Sequence, residues 1–285
     1  MTLSVTEKRG AFRRLHEDGC FVLPNPWDVG SARMLQRLGF AAVASTSTGY
    51  AWSTGRPDYG VSRDDVLEHL TALSASVDIP VNADFESGFA SAPDGVAESV
   101  TLAVKTGVSG LSIEDRDVDA IETLYDPAFA VERIGAARRA IDRAGGDVLL
   151  VARTELLFVE PGAVKGAIDR LVAFANAGAD CLYAPGVRDP KDIAAMVRAV
   201  SPKPLNVLVL GAGPSVAELA DLGVRRISVG GALARVAWTA MIGAARQMMA
   251  GSFAGLAGAM PGRELDTAFA EFTDRDGGRR KGSVL

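Results

Sequence analysis

The chain has 285 residues, 48% of them hydrophobic, enough to bury a large core in one big α/β domain or in two ordinary ones. A formal net charge of −5 argues against a nucleic-acid or anionic-membrane surface, and no run approaches the roughly 20 apolar residues of a membrane span. The opening Met1–Arg9 stretch lacks the apolar centre of a secretory signal, and Cys20 and Cys181 make no metal-binding spacing, so a reduced, cytoplasmic interior is the expected home.

In chain order, an amphipathic N-terminal stretch carrying His16 precedes eight short β-like runs that alternate with helical segments. The runs are Cys20–Asn25, Ala41–Thr46, Pro80–Asp84, Gly110–Glu114, Val148–Arg153, Cys181–Ala184, Pro204–Val209 and Arg226–Gly230. Ser62-Arg63-Asp64-Asp65 and Ser215-Val216-Ala217-Glu218 resemble capping boxes, and Asp189-Pro190 sets an N-cap before a proline at the first helical position. Gly39, Gly107, Gly178 and Gly223 close helix patterns just before the next strand, as left-handed C-caps do. Leu233–Met249 reads as the eighth helix, with Val236, Ala237, Met241, Ala244 and Met248 at helical spacing. The strands are nearly continuous apolar runs, as expected when both faces are buried. Eight such units predict a (β/α)₈ TIM-type barrel over residues 1–255, followed by a C-terminal extension, 256–285, that is solvated and poorly ordered from about Thr273. A doubly wound sheet is the rival, but no G-x-G-x-x-G follows the first strand.

The barrel puts every polar strand end at one rim, where such folds keep their active sites. Asn25, the Ser45–Gly49 run, Asp84, Glu86, Glu114, Arg153, Glu155 and Asn206 all fall there. Carboxylates at strand ends are costly to bury unless paired or bound to a cation, and alternation along an extended chain puts Asp84 and Glu86 on one face. An all-oxygen cluster suits Mg²⁺ or Mn²⁺ rather than zinc. The only two histidines, His16 and His69, fall away from strand ends, which argues against a histidine triad or a histidine-held zinc. Arg153, ending the apolar run Val148–Ala152, needs a partner or a ligand.

These residues resemble the isocitrate lyase and phosphoenolpyruvate mutase superfamily. The matching stretches are Ser45–Gly49, Gly55-Arg56-Pro57-Asp58, Ala83–Gly88, Ser112–Asp115 and Ala152–Glu155, in the family's order between about Phe21 and Arg246. The resemblance implies a barrel whose last helix is often exchanged between subunits of a homodimer or homotetramer. It also implies Mg²⁺ and a 2-oxo acid or its enolate. Asp84 then resembles the direct metal ligand, while Asp58, Glu86 and Glu114 resemble acids holding metal-bound waters. Thr46, Ser47, Thr48 and Gly49 would grip a substrate carboxylate, Arg153 would pair with the oxo acid, and Asn206 lies on a substrate-facing strand. The departures are specific. The lyases carry Lys-x-Cys-Gly-His after the Glu-Asp pair, whereas residues 116–126 here hold no Cys, His or Gly, and no Asn of the phosphonopyruvate-forming mutases either. Where the lyases place a Glu after the sixth strand, this chain reads Tyr183-Ala184-Pro185-Gly186.

The expected activity is a Mg²⁺-dependent carbon–carbon lyase acting on a small 2-oxo or 2-hydroxy dicarboxylic acid through a metal-stabilised enolate. Glu114, Tyr125 and Asp126 are the acid–base candidates. The alternatives are carbon–phosphorus chemistry, with Gly211-Ala212-Gly213 and Gly230-Gly231 as phosphate loops, and a non-catalytic barrel that binds an oxo acid.

Overall fold

The computed structural model describes residues 3–272. Each of the eight apolar runs contributes a parallel strand: β1 (Phe21–Leu23), β2 (Val43–Ala44), β3 (Val81–Asp84), β4 (Gly110–Glu114), β5 (Leu149–Arg153), β6 (Cys181–Tyr183), β7 (Leu205–Leu208) and β8 (Arg226–Ser228). Neighbours pair in the order β1-β8-β7-β6-β5-β4-β3-β2. The remaining seam, between β1 and β2, is bridged by the Ala44 N–H donating to the Pro24 carbonyl at 3.0 Å. The sheet therefore closes on itself as the expected (β/α)₈ barrel.

The helices are α1 (Val5–Leu15), α2 (Val29–Arg37), α3 (Ser47–Ser53), α4 (Arg63–Ser76), α5 (Pro93–Lys105), α6 (Pro127–Arg143), α7 (Leu156–Val159), α8 (Val164–Asn176), α9 (Pro190–Val200), α10 (Val216–Asp221), α11 (Ala232–Met249) and α12 (Gly262–Ala270). Their termini follow the local chemistry. Ser62 and Ser215 accept from the N–H groups of Asp65 and Glu218, and Asp189 accepts from Lys191. Ser215 completes a reciprocal box with Glu218. Gly39, Gly107, Gly178 and Gly223 all have φ between 87° and 105°, the left-handed conformation that ends a helix.

The main core lies between the strands and the surrounding helices, where Leu70, Val100, Ile113, Leu150, Leu171 and Phe174 are fully buried. A second cluster fills the barrel itself. Phe12 of α1 enters from the N-terminal end against Leu23, Leu149, Val151 and Cys181. Gly110 is required there, since a Cβ on it would stand 2.6 Å from the Phe12 ring and 2.7 Å from Asn82 Oδ1. The C-terminal stretch returns to α2, with Arg33 over the Phe272 ring and Arg37 paired with Glu271. The tail expected to be solvated from about Thr273 lies outside the described residues. Among those described, no helix is long and apolar enough to cross a membrane.

Both histidines are core residues. His16 packs edge-on between Phe12 and Phe21, its Nδ1 donating to the Phe12 carbonyl at 2.8 Å, and burial followed by the charge of Arg226 holds its pKa down to about 3. His69 stacks on Tyr50 at 3.8 Å, and burial lowers it to about 4. In the unfolded chain both titrate near 6.5, so between that value and the folded pKa the unfolded state binds more protons and stability falls with pH. The histidines give urea midpoints a downward slope approaching two protons from pH 7 to 5, which Glu86 and Glu114, both raised by burial, offset in the opposite direction. At full expression the loss is up to about 3 kcal/mol for His69 and more for His16. Replacing His69 with Phe should remove about half of that slope, and an unchanged slope would contradict the assignment.

Candidate active site

The C-terminal rim holds a cavity of about 300 Å³ built from strand ends and the loops after them. Asp84 ends β3, and its Oδ2 accepts from the Ser47 N–H at 3.0 Å and the Ser47 hydroxyl at 2.9 Å. Its own N–H donates to Ser45 Oγ at 2.8 Å. Thr46 caps α3 by accepting from the Gly49 N–H, and this turn is what aims Ser47 at Asp84. The Thr48 hydroxyl donates to Asp58 Oδ2 at 2.6 Å.

Arg153, ending β5, is the hub. Its Nη1 stands 3.4 Å from Asp84 Oδ1 and 3.3 Å from Glu114 Oε2, its Nε bonds Glu155, and its guanidinium lies 5.3 Å from the Tyr183 ring centre. Register explains the grouping: Glu114 pairs with Arg153 and Arg153 with Tyr183 across β4, β5 and β6. Burial opposes the Arg153 charge, but Glu155, Glu114 and Asp84 outweigh it and hold its pKa well above the ordinary value. Glu155 in turn takes a second guanidinium, Arg116 at 3.3 Å.

Glu114 is buried, and its Oε1 accepts from the Tyr59 phenol at 2.8 Å. Burial raises its pKa although Arg153 pulls the other way. Tyr59 is pushed far up, by burial and then by the Glu114 charge, so its phenol stays a donor. Glu86 does not follow the expected alternation. It lies beyond the strand in a left-handed turn, φ 47°, and lines a neighbouring cavity of about 240 Å³ with Tyr59 and Arg116. No hydrogen bond reaches its carboxylate among the described residues, and burial followed by the charges of Glu114, Asp84 and Asp58 pushes it up to about 9.

Of the residues expected at the site, Thr46, Ser47, Thr48, Asp58, Asp84 and Arg153 line the larger cavity, with Glu114 bonded to its wall through Tyr59 and Arg153. Gly49 sits inside α3, where a Cβ would lie 2.6 Å from Thr46 Cγ2, so it serves close packing. Asn206 is fully buried, bonded to Ser228 and Arg226 and absent from the cavity wall. Asn25 staples the rim, accepting from the N–H groups of Val229 and Gly230 and donating to the Ser45 carbonyl. Tyr125 and Asp126 are placed outside the cavities. The Tyr125 hydroxyl accepts from the Val118 N–H beneath Arg133, and Asp126 caps α6. Their loop is folded back on itself by an Arg116–Leu124 bridge.

Sequence reasoning passed over three residues. Tyr59 follows Asp58 directly and Arg116 follows Glu114-Asp115 directly, so adjacency to the acids was the available signal. Arg133 gave none, since it lies mid-helix in α6. It is 1% exposed, and its guanidinium donates to the carbonyls of Ser87, Ala90, Ser91 and Glu114 while covering Tyr125 at 4.1 Å. It thus ties the Glu86 turn to the end of β4. Arg133→Met is expected to destabilise the fold by about 3 kcal/mol, because several buried carbonyls lose their donor. Arg133→Lys should restore only part of this, one ammonium being unable to span the same fan. Chemical denaturation of both variants measures it.

The donor set fits a divalent cation: oxygens alone, with a buried Glu86 whose neighbours repel its charge. Among the described residues no three acids, histidines or cysteines stand together as a ready-made metal cluster; Asp84, held by Ser47, shares the cavity wall with Asp58 and Glu155.

An acid-and-arginine cavity at the C-terminal mouth of a parallel barrel lies where enzymes of this fold keep their active sites. The chain belongs to the isocitrate lyase and phosphoenolpyruvate mutase superfamily, whose phosphoenolpyruvate phosphomutase family matches residues 12–249. A lyase/mutase candidate from Burkholderia cenocepacia J2315 is 45% identical, superposes with a TM-score of 0.89, and aligns over 93% of this chain and 96% of its own. An uncharacterized protein of Mycobacterium tuberculosis is 32% identical over 93% of this chain and 98% of its length. The crystal structure of 2,3-dimethylmalate lyase is 28% identical with a TM-score of 0.84, covering 97% and 99% of the two chains.

Proposed function

We propose that the protein is a Mg²⁺- or Mn²⁺-dependent carbon–carbon lyase that cleaves a small 2-oxo or 2-hydroxy dicarboxylic acid to leave an enolate. The observation that carries this reading is Arg153 and Asp84 facing one cavity 3.4 Å apart. A divalent ion supplies positive charge for the oxyanion that develops as the bond breaks. The chain's own residues do the rest. Ser47 and Thr48 orient Asp84 and Asp58, and Tyr59 fixes Glu114. Glu155 holds the Arg153 fork in position for a planar carboxylate, an arrangement that needs no reorganisation as charge builds.

The test is turnover of 2-hydroxy and 2-oxo dicarboxylic acids, set beside phosphonopyruvate and phosphoenolpyruvate, each with Mg²⁺ and with chelator. Metal-dependent release of a 2-oxo acid from a carbon substrate supports the lyase. Turnover of the phosphorus compounds alone would move the protein to the mutase side of its superfamily, and inertness toward both would leave a binding barrel.

The same reading includes a homodimer or homotetramer built on α11. This helix packs chiefly on the short turn Ala254–Leu256, and Val236, Met241 and Met248 stay 68%, 48% and 45% exposed. Such a row of large apolar side chains suits a protein partner. Light scattering at micromolar concentration should report a mass of at least two chains, and a monomer would rule the exchanged helix out.

A further inference from the structure

Beside the acid-lined cavity lies a second one of about 530 Å³, between the loops that follow β6 and β7. The two are continuous in their walls: Phe158, Leu208, Leu210 and Arg235 line both. The side chains on their walls differ. No carboxylate, amide or hydroxyl side chain lines the second cavity among the described residues, and Val187 and Val209 extend its apolar wall. Its only charged groups are Arg188 and Arg235, both exposed, whose heads can stay in water while their stems cover apolar surface.

Leu210 and Phe158 remain 40% and 41% exposed at the junction, so apolar surface is offered beside the polar cavity instead of being packed away. Tyr183, at the end of β6, carries the wall from Arg153 toward this side. From this continuity we infer that the second cavity is the specificity subsite for an apolar branch of the substrate. The substrate class is then a 2-oxo or 2-hydroxy acid whose far half carries an alkyl chain. This inference rests on the oxo-acid reading of the Arg153 cavity. The physical basis is direct: a methylene moved from water onto these leucine and valine walls gains affinity.

The test uses unbranched 2-oxo acids from pyruvate to 2-oxohexanoate, with oxalate as the reference ligand for the polar cavity, titrated by calorimetry with Mg²⁺ present. These acids have no hydroxyl to drive cleavage, and their chains lengthen on the side where the leaving half would lie. Affinity is expected to rise about fourfold per methylene, roughly sixtyfold across the series. Leu210→Asp, at a half-open rim position, and Leu208→Asn should each flatten that rise. If oxalate binds and the series is flat, the apolar subsite is overturned while the oxo-acid reading stands. If the rise survives both substitutions, the chain lies elsewhere and the subsite is again overturned. If neither oxalate nor any oxo acid binds, both readings fall together.

Discussion

Arg153→Lys is expected to bind oxalate at least about a hundredfold more weakly than the parent, and to lose turnover by about the same factor or more. Oxalate is flat and doubly charged, as the enolate of a 2-oxo acid is, so it probes the arrangement without needing the right substrate. Arg153 holds Glu155 through Nε and turns Nη1 toward Asp84 and Glu114. A lysine keeps the charge and so avoids stranding two buried carboxylates and the half-buried Asp84, which is why Lys is a better probe than Ala. It cannot reproduce the fork, because one ammonium is a point charge with no fixed plane. Calorimetry in the presence of Mg²⁺ gives the affinity, and near-parental oxalate binding in Arg153→Lys would remove Arg153 from the substrate site.

Asp84→Asn should bind Mn²⁺ more than about a hundredfold more weakly, a larger loss than an outer-shell partner causes. Its unfolding midpoint should stay within a few degrees of the parent. The amide can still accept from the Ser47 N–H, and the change removes one of the charges that push Glu86 up. Fold and metal site are thus expected to separate in a single variant. Equal Mn²⁺ affinity in the two proteins would show that the ion binds elsewhere or not at all.

The barrel was legible because its evidence is periodic and repeated: apolar runs recur eight times along the chain, with caps and left-handed glycines marking several of the helices between them. Strand extents were overestimated at the ends, as at Cys20–Asn25 against the observed Phe21–Leu23, because a polar end residue such as Asn25 turns to staple neighbouring loops. The acids and Arg153 could be picked out because charge at the end of an apolar strand has few structural explanations. The partners that shape them could not. Glu86 broke the period-2 expectation through a backbone turn, and Arg133 reaches the site from mid-helix through carbonyl oxygens, which leave no mark in side-chain chemistry. Tyr125 and Asp126 stand off the cavity walls, since closeness in sequence to Glu114-Asp115 says nothing of which way their loop folds.

Among the described residues, three that are not glycine adopt left-handed backbone: Tyr59, Glu86 and Phe89, with φ of 59°, 47° and 56°. All three border the same 240 Å³ hollow beside the acids. Each conformation costs on the order of 1 kcal/mol that a glycine would avoid. An engineer seeking heat tolerance by routine backbone relaxation would therefore be drawn to these positions first. At two of them the substitution would delete the phenol that grips Glu114 and the acid that crowds Asp84. Thermal improvement and the chemistry of the rim are set against each other at these residues, so a thermostable version of this enzyme has to be sought in the helices and the far end of the barrel.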